Sequence, residues 1–108
     1  EYYLRVRGDS MDEVFPEGTL LFCRPFYAEE HVLPIDKYVI AVTSSAHTDQ
    51  IEATVKRLVR NDNGDLVLRP ESRNKILYGR DLALGADTEL GTEVRISAVV
   101  VGYTRQLD

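Results

Sequence analysis

The chain opens on YYLRVRG, in which Tyr2, Leu4 and Val6 alternate with Tyr3, Arg5 and Arg7 before Gly8. A period of two over this length predicts a strand with one buried face. SMDEVFPEGTLLFCRP then joins a short helical or irregular stretch to a turn at Pro16-Glu17-Gly18 and a strand through Leu20, Leu21, Phe22 and Cys23, stopped by Pro25. Residues 26–37 carry acids, both proline and histidine, and no sustained periodicity, which suits a surface loop. KYVIAVT, residues 37–43, returns to a β-rich composition, and SSAHTDQ, residues 44–50, is polar and turn-like. IEATVKRLVR follows as a long strand, with Ile51, Ala53, Val55, Arg57 and Val59 expected on one face and Thr54, Lys56 and Leu58 on the other. Asn63-Gly64 is a hairpin signal that pairs residues 51–60 with residues 65–69. VRISAVVVGYTR, residues 94–105, reads as a long apolar strand. Helical periodicity is scarce, and no repeat, low-complexity tract or linker is evident. The expected fold is mainly β, of mostly antiparallel strands with little helix.

Composition narrows what such a fold can do. At 108 residues, with 44% hydrophobic and 29% charged positions, the chain is expected to be one domain spanning residues 1–108. A net charge of −5 argues against its holding DNA by itself, because backbone binding relies on Lys and Arg neutralising phosphates. Cys23 stands alone, so no internal disulfide can form. His31 and His47 do not complete a structural zinc set, and nothing calls for a cofactor. No apolar run approaches the roughly 20 residues that span a bilayer, and EYYLRVRG lacks the plan of a signal peptide. A cytoplasmic protein is expected. The start in strand-like alternation, without an initiator methionine, leads us to expect a fragment from which an upstream segment is missing.

One stretch carries possible chemistry. VRGDSMDEVFPEG sets Ser10 between Asp9 and Met11, after a glycine and before a turn. A serine hydroxyl is a poor nucleophile until a base takes its proton, and an uncharged lysine can serve as that base. Free lysine has a pKa near 10.4, so about one molecule in a few thousand is neutral at pH 7. A drop of roughly three units, obtained by burial, costs about 4 kcal/mol. Lys56 is the best placed lysine, beside Val55 and Leu58 in a strand whose pattern predicts burial, whereas Lys37 and Lys75 sit in polar surroundings. On spacing alone, the plainer reading is a turn serine and a solvated strand lysine. His47 and Asp49 could complete a Ser-His-Asp triad, but both lie in a polar loop. NDNGD, residues 61–65, fits a hairpin turn better than a calcium loop, since aligning Gly64 puts Val59 at the first ligand position. Cys23, in LLFC, reads as a buried small apolar residue, and Met11 as a packing residue. Ile96, Val99 and Val101 are either core or part of an exposed strand edge.

Longer strings add a resemblance. VRGDSM, then PEGTLL, TVKRL at residues 54–58, LRPES at residues 68–72 and AVVVGYTR near the C-terminus occur in the order of the LexA-type Ser-Lys peptidase domain. That domain forms the C-terminal half of LexA and of lambda-like phage repressors, and is related to the UmuD proteins. The resemblance implies a signal-peptidase-like β fold with Ser10 as nucleophile, Lys56 as general base, and the backbone N–H groups of Ser10 and Met11 holding the oxyanion. It implies self-cleavage in an upstream linker, promoted by a RecA filament in the DNA-damage (SOS) response. It also implies a homodimer or higher oligomer whose DNA contacts belong to an N-terminal helix-turn-helix domain absent from this chain. Three features depart from the family pattern. Asp12-Glu13 stands where a proline is frequent, and Thr19 where an aspartate is. Residues 24–50 are long for LexA, which points to a phage-like or divergent repressor. None of the seven glycines follows an alanine or cysteine, so the usual cleavage dipeptide is absent. Two alternatives remain. One is a non-cleaving oligomerisation module of a transcriptional regulator; the other is a signal-peptidase-like enzyme acting on other proteins, which would need a membrane anchor.

Overall fold

A computed structural model describes residues 1–48, 51–87 and 91–105. The described strands are β1 (Tyr2–Arg5), β2 (Leu20–Pro25), β3 (Tyr38–Ser45), β4 (Ile51–Arg60), β5 (Leu66–Arg69), β6 (Leu82–Ala83), β7 (Gly85–Asp87) and β8 (Thr92–Thr104). A single-turn helix, α1 (Lys75–Tyr78), lies between β5 and β6. The strands form one sheet in the order β1-β2-β8-β3-β4-β5-β6, with β7 beside β8, and every pairing is antiparallel. The mainly β, little-helix expectation holds.

The local reasons are those of the pattern, with one correction. In β1, Tyr2 and Leu4 turn inward and Tyr3 and Arg5 outward, and Val6 extends the alternation. Val6 bonds back to the start of β2, its N–H donating to the Thr19 carbonyl (2.8 Å) and its carbonyl accepting from Gly18 (2.9 Å). β3 runs longer than KYVIAVT suggested, and it buries Val39, Ile40, Ala41 and Val42 consecutively because it is central and covered on both faces. In β4 burial does not follow the alternation of faces. Ile51 and Ala53 are exposed, while Val55, Lys56, Leu58 and Val59 are all buried. The first half of this strand pairs with β3 alone; the second is joined by β5 and by the loop before β3, through Leu58, which donates to Lys37 and accepts from Asp36.

The β4–β5 hairpin forms where Asn63-Gly64 placed it. It closes through a three-residue loop, with Gly64 at φ +85° and the Gly64 N–H donating to the Asn61 carbonyl (3.0 Å). Asn61 Oδ1 accepts from the N–H groups of Asn63 and Asp65, so this side chain shapes the turn.

Two hydrophobic cores lie on the opposite faces of β3. Ile40 packs with Met11, Phe15, Leu21, Cys23, Val55 and Ala98, whereas Val39 and Ala41 pack with Phe26, Leu58, Leu68, Val94 and Ile96. Of the three uncertain residues in the last strand, Ile96 is core, Val99 is half-buried and Val101 is exposed. β8 is the seam of the sheet, because β2 reaches β3 only through it. Its register slips at Ser97 against β3 and at Val101 against β2, two bulges that bend the longest strand so that it serves both neighbours.

Phe15 is 2% exposed and meets the rings of Tyr38 and Tyr103 edge-on, at 5.0 and 5.3 Å between centroids. Phe15→Ala is expected to cost about 3–5 kcal/mol, read as a lower midpoint in urea unfolding with an unchanged slope.

Candidate functional site

The connection from β1 to β2 places Ser10. Gly8, at φ +80°, turns the chain out of the strand, and its N–H donates to Glu17 Oε1 (3.2 Å). Tight turns follow, in which Asp12 donates to the Asp9 carbonyl (3.3 Å) and both Val14 and Phe15 donate to that of Met11 (3.0 and 2.7 Å). Met11 is 1% exposed and sits in the same core as Phe15, so the residue after Ser10 is pinned while Ser10 itself stays half-buried. Ser10 is therefore a turn residue, and its hydroxyl faces a lysine.

That lysine is Lys56. Its side chain is 8% exposed, and Nζ donates to Ser10 Oγ at 3.2 Å and to the Val55 carbonyl at 3.1 Å. No carboxylate lies within ion-pair distance of it among the described residues. Burial lowers its pKa from the ordinary 10.5, and the field of Glu52, on the same strand, offsets part of that effect. A lysine with two neutral oxygen partners and no counter-ion is held in the way that favours the free amine.

A groove of about 190 Å³ opens beside the pair. One wall is Leu4, Arg5, Val6 and Arg7, the other Ala53, Thr54 and Val55, and Leu21 and Ile40 complete the lining with Ser10. Both walls belong to strands with an open side there. Among the described residues β1 pairs only with β2, and β4 is paired with β5 only from Arg57 onward. Neither the Ser10 nor the Met11 N–H donates to a protein acceptor among the described residues.

The other candidates stand apart from this pair. His47 is exposed in the turn after β3, where its N–H donates to Ser45 Oγ, and Asp49 lies outside the described residues. Cys23 is fully buried, and burial pushes its thiol pKa up, as expected of an inert core residue. Lys75 is exposed and paired with Glu13 at 2.9 Å.

Sequence reasoning missed the segment that follows β5. Residues 71–78 pack along the Ser10 turn. Glu13 donates to the Glu71 carbonyl (3.0 Å), Glu71 N–H to Met11 Sδ (3.1 Å) and Arg73 N–H to Asp12 Oδ1 (2.8 Å). Tyr78 lies beside Asp9, which pushes its phenol pKa up. Asp12 and Glu13, noted above only as departures, thus have partners in this segment. A signal was available in the acids of the turn and the basic Arg73 and Lys75, but nothing in the sequence sets them opposite each other.

Comparison with known proteins yields one match. The sequence model of the family described as Peptidase S24-like matches residues 1–101. Neither a curated protein nor a solved structure matches the chain.

The state of Lys56 carries a stability cost whose sign can be checked. The unfolded chain keeps the lysine proton up to about 10.5, and the folded chain releases it at lower pH. The full cost is therefore present below the folded-state midpoint and is relieved as pH rises towards 10.5. Lys56→Met is expected to raise the thermal midpoint by several degrees at pH 7, with the gain shrinking towards pH 10. A gain independent of pH in calorimetric scans would contradict the assignment.

Proposed function

Because the chain belongs to the Peptidase S24-like family, the family of LexA-type and UmuD-like peptidase domains, we propose that it is the self-cleaving and dimerising C-terminal domain of a LexA-like or phage-type transcriptional repressor. The observation that carries the reading is the 3.2 Å hydrogen bond between Ser10 Oγ and the amine of a buried, unpaired Lys56.

In the proposed reaction, neutral Lys56 Nζ takes the Ser10 proton as Oγ attacks the scissile carbonyl of a linker segment lying in the groove. The N–H groups of Ser10 and Met11 receive the developing oxyanion. The Lys56 ammonium then returns its proton to the departing amine, the C–N bond breaks, and an ester on Ser10 remains. A water molecule, deprotonated by the same amine, hydrolyses that ester and restores both side chains. An extended segment suits the groove because the open edges of β1 and β4 offer backbone partners along it. An arriving strand would also exclude water from Lys56, which couples docking of the linker to the availability of the base.

Assembly is the second half of the proposal. Beyond Val99, β8 has no β3 partner, and Val101 and Tyr103 are exposed along this stretch at 45% and 54%. A second copy pairing there would bring two upstream DNA-binding domains together for a two-fold site. Cleavage of the linker would separate those domains from the dimer and release the operator, as in an SOS response.

The test uses the full-length protein with its upstream linker, incubated from about pH 7 to pH 10, alone and with RecA filaments, and read by intact mass. The expected result is one cut upstream of residue 1 that accelerates with pH and is absent in Ser10→Ala and Lys56→Ala. A chain that stays intact under every condition would replace this reading with that of a non-cleaving oligomerisation module.

A further inference from the structure

Glu71 follows β5 and touches both halves of the site through different atoms. Its carboxylate Oε2 lies 3.8 Å from the guanidinium of Arg57, the residue after Lys56 on β4. The same carboxylate lies beside the Tyr38 phenol and helps push its pKa up, and Tyr38 is the cross-strand partner of Arg57 on β3. The Arg57 guanidinium also stands 5.7 Å from the Tyr38 ring centre. The backbone of Glu71 faces the other way: its N–H donates to the sulfur of Met11, the residue after Ser10, and its carbonyl accepts from Glu13. Side chain and backbone thus hold the residues immediately following Lys56 and Ser10, respectively.

Two further observations argue for a job beyond packing. Glu71 Oε1 is buried without a hydrogen-bond partner among the described residues, an arrangement that costs stability. Desolvation and the neighbouring carboxylate push the pKa of the half-buried Tyr38 phenol up to about 12, so this neighbour of Glu71 stays neutral across the range in which a lysine base would titrate. Arg69, on β5, also lies within the field of Glu71, so the carboxylate faces cations from β4 and β5 and a neutral hydroxyl from β3.

We infer that Glu71 is a positioning residue, a tether that fixes the separation between the Lys56 strand and the Ser10 turn. The tether stands on geometry alone; its consequence for rate rests on the Ser-Lys reading above. Removing it lets the turn drift from the lysine and admits water to the amine.

The experiment compares the full-length wild type with Glu71→Ala, Glu71→Gln and Tyr38→Phe. Self-cleavage is followed against pH, and the Lys56 titration is read by lysine ¹³Cε NMR in a Ser10→Ala background that keeps the chain intact. In Glu71→Ala, cleavage is expected to slow by roughly ten- to a hundredfold, with the pH of half-maximal rate and the Lys56 midpoint both moving upward. Glu71→Gln, which keeps the backbone contacts and an oxygen towards Arg57 and Tyr38, should recover most of the rate. If Glu71→Ala does not fold, Tyr38→Phe carries the test, with a slowed rate and an upward-shifted Lys56 midpoint expected at an unchanged thermal midpoint. Should the wild type never cut while the Lys56 midpoint still rises in these variants, the tether stands and the peptidase reading falls. If the wild type cuts and the folded variants reproduce its pH profile and Lys56 midpoint, the tether is overturned.

Discussion

The burial of one amine governs this molecule. Lys56 sits in the middle of β4 with two neutral oxygens as partners, Ser10 Oγ and the Val55 carbonyl, and no carboxylate within ion-pair distance among the described residues. An ammonium in such a place is held against its preference for water. Everything around it has to be strong enough to keep it there. The two cores on either face of β3 supply that strength, and Val55 and Leu58, its near neighbours on β4, belong one to each.

The same constraint explains why the Ser10 turn is so heavily fastened. A hydroxyl that must stay within hydrogen-bond reach of a fixed amine cannot sit on a loose loop. Met11 and Phe15 anchor the turn from below, Gly8 and Glu17 close it at its start, and residues 71–78 bind it along its side. The groove is left open next to this rigid corner, between two strands whose edges are unpaired there. Rigid chemistry beside an open edge is an arrangement suited to receiving an extended chain.

Much of this was legible in the sequence, and the losses have identifiable causes. β1, β2, β3, the β4–β5 hairpin and β8 each announce themselves by period or by turn residues, whereas the pairing of Ser10 with Lys56 was implied only by the family resemblance; spacing alone favoured a turn serine and a solvated lysine. The burial of β4 was not legible in its alternation, because the first half is exposed on both sides while Val55, Lys56, Leu58 and Val59 in the second half are buried whatever their face. Residues 70–91 gave no periodic signal, since β6, β7 and α1 are two to four residues long and held by neighbours. Glu71 was invisible for another reason. Its importance lies in being near Tyr38, Arg57 and Met11 together, and those residues are up to 60 positions away in the chain.

The seam formed by β8 has a consequence for the order of events in the cell. Ser10 is carried between β1 and β2, and Lys56 on β4; between β2 and β4 the sheet runs through β8 and β3, and β8 is the last of the described strands that the ribosome makes. Until β8 is made, β2 and β3 have no shared partner, and the sheet that carries the hydroxyl and the amine is incomplete. Domains fold as their last required element becomes available. The sheet that carries Ser10 and Lys56 is therefore completed only once β8 has been made.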